Sequence, residues 1–130
     1  MTIDVWEVAG GSVLKESFAE HDRDDFCLSV ILRFDSVIIR VAINADFDST
    51  EYSRIERDEF DKIRKDHILK IILKDLVGAR LAFWWIMVNQ QGYQDAIQMD
   101  FVETKSLRHT IQLLGLGSQI LTMRVIPDEN

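Results

Sequence analysis

Phe26-Cys27-Leu28-Ser29-Val30-Ile31-Leu32-Arg33-Phe34, then Asp35-Ser36, then Val37-Ile38-Ile39-Arg40-Val41-Ala42-Ile43 is the stretch on which the fold turns. Phe26, Leu28, Val30, Leu32 and Phe34 share one parity, and Cys27, Ser29, Ile31 and Arg33 the other, which is the period of a β-strand. A two-residue turn at Asp35-Ser36 brings the chain back so that Phe34 pairs with Val37, Leu32 with Ile39, Val30 with Val41 and Leu28 with Ile43. Every member of that face is apolar, and a slip of one residue would ruin the match, so the register is strongly specified. Aspartate tolerates the positive φ of a primed turn, whereas serine is a poorer second residue than glycine. The opposite face, with Ile31, Arg33, Ile38 and Arg40, is mixed and expected to be wetter.

A second hairpin is predicted from Arg80 to Val102, turning at Asn89-Gln90-Gln91-Gly92, where glycine suits the left-handed bulge position. With Asn89 opposite Tyr93, Met87 pairs with Asp95, Trp85 with Ile97, Phe83 with Met99 and Leu81 with Phe101. Seven apolar side chains and one carboxylate, Asp95, then share a face. A carboxylate in an apolar layer must reach water, accept hydrogen bonds or serve as a functional acid. The other face would carry Trp84, Ile86 and Val88 opposite Gln98, Ala96 and Gln94. Such a face is either covered by a helix or left as a sticky stripe with Trp84 as the anchor for a partner.

Between the hairpins the pattern turns helical from Arg54 to Val77. Arg54 to Lys65 is charge-laced and reads as a solvated helix or a loop. Asp66 suits a cap, Gly78 suits a stop, and Ile68, Leu69, Ile71, Ile72, Leu73, Leu76 and Val77 supply an apolar face, so the main helix is predicted over about 66–77. Ser12 to Ala19 reads as a weak strand. Thr2 to Ala9 fits either a short helix capped by Thr2 and ended by Gly10 or an edge strand. Ser106 to Leu114 and Gln119 to Ile126 read as two further strands joined through Gly115-Leu116-Gly117-Ser118. The expected fold is therefore an α+β domain spanning residues 1–130: an antiparallel sheet of about five to seven strands built from hairpins, with one main helix packed on it. Strong curvature into a half barrel is the alternative.

A chain of 130 residues, 47% of them apolar, can bury one core without disulfides or a structural metal. The single cysteine, Cys27, lies in an apolar run and reads as an inert reduced thiol. Neither a basic, apolar leader nor a membrane-length apolar run is apparent, which points to the cytoplasm and away from the membrane. Of the net charge of −7, residues 1–60 hold 14 acids against 6 bases, and residues 61–130 hold 8 acids against 9 bases. That sign disfavours nucleic acid and suits a basic partner protein.

Chemical motifs are sparse. Asp46-Phe47-Asp48, with Thr50 and Glu51, offers alternating oxygen donors for a hard cation, but Glu51 and Arg57 stand where a calcium loop needs glycine and glutamate, so no metal is expected. His21, His67 and His109 lie more than 40 residues apart with no zinc-like spacing. His109 shares parity with Leu107, Ile111 and Leu113 and should sit at the core's edge. No cofactor motif occurs. The reading that results is a small acidic protein-binding module without catalytic activity, of an immunity or antitoxin-like kind, using Trp84, Ile86, Val88, Tyr93 and Asp95. A homodimer is compatible with it. The alternative is a small enzyme or ligand-binding domain whose pocket gathers Asp95, Tyr93 and His109, with Asp46 and Asp48 nearby.

Overall fold

A computed structural model of the chain describes residues 4–44, 49–88, 92, 94–104, 107–117 and 119–125. It contains two antiparallel sheets. The first has five strands in the order β4-β3-β2-β1-β5: β1 (Leu14–His21), β2 (Cys27–Phe34), β3 (Ile38–Asn44), β4 (Ser49–Ile55) and β5 (Ile68–Ile71). The second is a four-stranded meander of β6 (Arg80–Val88), β7 (Gln94–Thr104), β8 (Leu107–Leu116) and β9 (Gln119–Val125). Neither sheet curls into a half barrel; they stack face to face.

The register read from residues 26–43 holds: Val30 faces Val41, Leu32 faces Ile39, and the Phe34 amide donates to the Val37 carbonyl at 2.9 Å. These side chains enter the core shared with Leu81, Ile97, Met99, Phe101, Ile111 and Leu113 of the second sheet. Phe34 and Phe101 stack across the interface with ring centroids 6.3 Å apart. The Thr50 hydroxyl donates to the Gln94 carbonyl at 3.2 Å, a hydrogen bond from one sheet to the other.

The reverse face of β2 and β3 is covered, not wet. Helix α2 (Arg57–Asp66) lies on it, and Phe60 and Ile63 pack against Phe18, Ile31 and Ile55. The helix carries Asp58 and Glu59 in its first turn and Arg64 and Lys65 in its last, matching its dipole. The main helix is therefore 57–66, and the prediction over 66–77 is corrected. Asp66 ends the helix, and the run Ile68-Leu69-Lys70-Ile71 forms β5 because β1 offers it a free edge, pairing Glu20 with Leu69 and Phe18 with Ile71. β-branched residues favour that outcome. Leu73 then takes a left-handed conformation (φ 53°) into a single 3-10 turn, Lys74–Leu76.

A short helix, α1 (Val5–Ala9), resolves the ambiguous N-terminal segment. Its cap is Asp4, whose carboxylate accepts from the Trp6 amide at 2.9 Å; Thr2 lies outside the described residues. Trp6 is buried and meets Tyr52 edge-on at 5.4 Å. Gly10 ends the helix where a β-carbon would stand 2.8 Å from the Trp84 ring, so the chain passes there only without a side chain. Beyond it, Gly11–Leu14 exchanges backbone hydrogen bonds with Gly78–Leu81, tying the two sheets together at one corner.

The second hairpin differs from its predicted register. Leu81 does face Phe101, but Ala82 and Asp95 are each an extra residue in the ladder. Between these two bulges β6 is displaced by one residue, so Trp84 faces Met99 and Ile86 faces Ile97, while Trp85 faces Gln98 and Phe83 faces Asp100. One extra residue exchanges the two faces of a strand. The turn residues Asn89, Gln90 and Gln91 lie outside the described residues; Gly92 has the positive φ (86°) assigned to it.

Candidate interaction face

Because α2 covers the first sheet and the first sheet covers the inner face of the second, the outer face of the second sheet has no covering element among the described residues. Cross-strand pairing puts Phe83, Trp85 and Met87 of edge strand β6 on that face, together with Leu121, Met123 and Val125 of edge strand β9. All six are exposed: Phe83 is 53% exposed, Trp85 48% and Met87 39%, with the β9 residues close to 40%. Phe83 and Trp85 stack at 6.2 Å. The central strands present shorter side chains between these two ridges. The resulting cleft, about 300 Å³, is lined by Gln98, Asp100, Arg108, Thr110 and Val125.

Asp100 is the only acid that the paired positions of this face carry, and it is nearly fully buried. Thr110 donates to one carboxylate oxygen at 2.7 Å, and Arg108 Nε lies 3.4 Å from the other. The Arg108 guanidinium also sits 5.7 Å from the centre of the Phe83 ring. Charge, hydroxyl and ring thus screen one another, and a buried carboxylate is tolerated beside aromatic surface.

The predicted site residues are redistributed by the bulges. Trp84 and Ile86 point inward and pack against the core, so of the two placements the sequence left open for their face it is the covered one, with the first sheet and not a helix as the cover; Val88 is exposed at the end of β6. Asp95 is a half-buried bulge residue rather than a member of the apolar layer. Asp95 and His109 do not converge. Asp95 adjoins Gly115, whereas His109 faces Phe101 at the far end of β8, half-buried and 3.4 Å from Glu103. Tyr93, Asp46 and Asp48 lie outside the described residues. Among the described residues, no three His, Cys, Asp or Glu side chains are grouped to hold a metal ion, and no helix is long and apolar enough to cross a membrane. Burial pushes the Cys27 thiol up, away from a reactive thiolate.

The outward residues of β6 escaped the sequence because Leu81 to Val88 is apolar on both parities, leaving alternation with nothing to choose between. The alternation of β7 does identify Ile97, Met99 and Phe101 as inward, and all three are fully buried, but the bulge at Ala82 decides which parity of β6 joins them.

A second polar cluster occurs on the first sheet, under the C-terminal end of α2. Glu20 is 0% exposed, and its carboxylate accepts from Ser29 Oγ at 2.6 Å and from Arg40 Nη2 at 2.5 Å. His67, one helical turn beyond Ile63, brings Nδ1 to 2.5 Å from the other oxygen. Burial raises the Glu20 pKa, but the bonds from Ser29 and Arg40 and the charges of Arg40 and His67 outweigh it, leaving the pKa below the usual glutamate value. Beside this cluster His21, Asp22, Arg23, Leu28, Asp66, His67 and Ile68 line an open cleft of about 310 Å³. A depressed carboxylate pKa gives stability that is complete above about pH 4.3 and is lost as pH falls through the lowered folded value. Urea unfolding of wild type and Glu20→Gln should therefore differ most near neutrality, the gap narrowing below about pH 4.3. A gap that stays constant to pH 2.5 would show that ionised Glu20 contributes nothing.

Comparison with curated proteins and with solved structures finds no match to the chain. Its sequence does match one family model across residues 1–127, and the chain belongs to that family, DUF6334, a family of unknown function.

Proposed function

We propose that this chain is a noncatalytic protein-binding domain whose contact surface is the outer face of the four-stranded sheet. One observation carries the reading: six large apolar side chains on two edge strands are exposed together on a face that no element among the described residues covers. Exposed aromatic and methionine side chains of that kind, here on two ridges either side of a polar valley, are enriched in protein interfaces. That Asp95 and His109 are held at opposite ends of the second sheet favours this reading over a pocket that would join them.

The surplus of acids in residues 1–60 contributes none of the strands of this face, so the partner is selected here by apolar surface rather than by basic charge. An immunity or antitoxin-like role would use those acids to steer a basic partner toward the protein, with the sheet face making the close contact. Capture from a host lysate on immobilised wild type, Trp85→Glu and Met123→Glu tests the reading. Binding proteins retained by the wild type should be lost from both variants. Equal retention by all three would eliminate the face.

A further inference from the structure

We propose that the occupant of this face is a second copy of the same chain, packed sheet against sheet about a two-fold axis. The inference rests on the protein-binding reading above and names its partner. Three features support it. The first is shape. The face has a raised aromatic ridge, Phe83-Trp85-Met87, beside a valley floored by Gln98, Asp100 and Thr110 whose cleft of about 300 Å³ has room for an indole ring. A two-fold axis sets the ridge of each copy into the valley of the other, because an isologous contact needs a surface complementary to itself. The Trp85 indole N–H then meets the side-chain carbonyl of Gln98 in the partner's valley, since a buried tryptophan requires an acceptor.

The second is charge. A chain of net charge −7 repels its own copy wherever acids meet acids. This face is the exception. Among the described residues its single acid at a paired position, Asp100, is buried against Arg108 and Thr110, and Arg80 and Arg108 stand at the same end of the sheet. A basic partner would find no exposed acid here to pair with, whereas a second copy finds no acid to oppose it.

The third is area. Four strands about 4.8 Å apart, six or seven residues long at about 3.3 Å each, give roughly 400 Å² in plan per copy. Two corrugated faces of that size approach the roughly 1,000 Å² total at which specific interfaces begin. Sheets packed this way stand about 10 Å apart, with the inner side chains of both interdigitated. The expected product is a reversible dimer rather than an obligate one.

Sedimentation equilibrium of the purified chain from about 1 to about 100 µM, the range in which modest interfaces dissociate, tests this. Wild type should pass from the 15.1 kDa of one chain to twice that mass as concentration rises. Trp85→Glu on β6 and Met123→Glu on β9 should each remain at the mass of one chain, with unfolding midpoints close to wild type because both side chains are exposed. Added salt should strengthen the dimer by screening the like net charges. Wild type at the mass of one chain throughout would overturn the second-copy assignment; if the same variants still lose a lysate partner, the protein-binding reading survives without it. A double mass that persists in either variant, or that salt dissolves, would overturn it as well.

Discussion

Replacing Arg40 with methionine should destabilise the fold by about 3 kcal/mol, the cost typical of leaving a buried charge without its partner. Glu20 is fully buried, and Arg40 supplies its permanently charged partner, while the Arg40 Nε also donates to Ser29 Oγ at 3.3 Å, the hydroxyl that donates to the same carboxylate. Methionine keeps much of the aliphatic stem and removes both contacts. The carboxylate then retains Ser29 and His67, and its pKa should rise because the hydrogen bond and charge of Arg40 are gone. Arg40 and His67 are partly exposed, with side-chain accessibilities of 31% and 43%, so deleting the acid instead leaves both in reach of water and should cost less. Combining Arg40→Met with Glu20→Gln should recover most of the loss, since the penalty belongs to the unpaired charge and not to the missing arginine. Urea unfolding of the two single variants and the double variant measures the coupling; strictly additive losses would disprove it.

The two adjacent tryptophans of β6 should behave oppositely. Trp84→Ala removes an indole that packs on Gly10 and the core between the sheets, and should cost about 3 kcal/mol with little direct effect on association. Trp85→Ala removes a half-exposed ring that stacks on Phe83, and should cost less than about 1 kcal/mol while abolishing self-association. Thermal unfolding and sedimentation of both variants provide the comparison. Reversed results would place the register on which the interaction face depends one residue out. Fluorescence offers an independent reading, since Trp85 should be the tryptophan most open to a soluble quencher at low protein concentration, and protected at high.

How far the sequence could be read was decided by local alternation. Residues 26–43 alternate without ambiguity, and their pairing is the observed pairing. The strands around Gly115–Ser118 were legible for the same reason, since turn residues separate two patterned runs; they span Leu107–Leu116 and Gln119–Val125. Residues 68–73 carry apolar side chains at almost every position, which fits a helix face and a strand equally well. Only the free edge of β1, a tertiary partner, determines the outcome. Two bulges reversed the interaction face. Neither Ala82 nor Asp95 bears a local signature of an extra residue, and a parity argument has no means of absorbing one. The Glu20 cluster was invisible for a further reason: His67, Arg40, Ser29 and Glu20 come from four elements and meet only once α2 lies down on the sheet.

The pairing order of the strands also has a kinetic consequence. Each strand of the second sheet pairs with its neighbour in sequence, as do β1 to β4 of the first, and only β5 returns across a longer loop. Contacts between neighbours along the chain close small loops at low entropic cost, so both meanders should zip rapidly and independently. The slow event is their docking, which must also deliver Trp6 and bring Gly11–Leu14 alongside Gly78–Leu81. Mutations at that seam should retard folding more than equally destabilising ones within either hairpin.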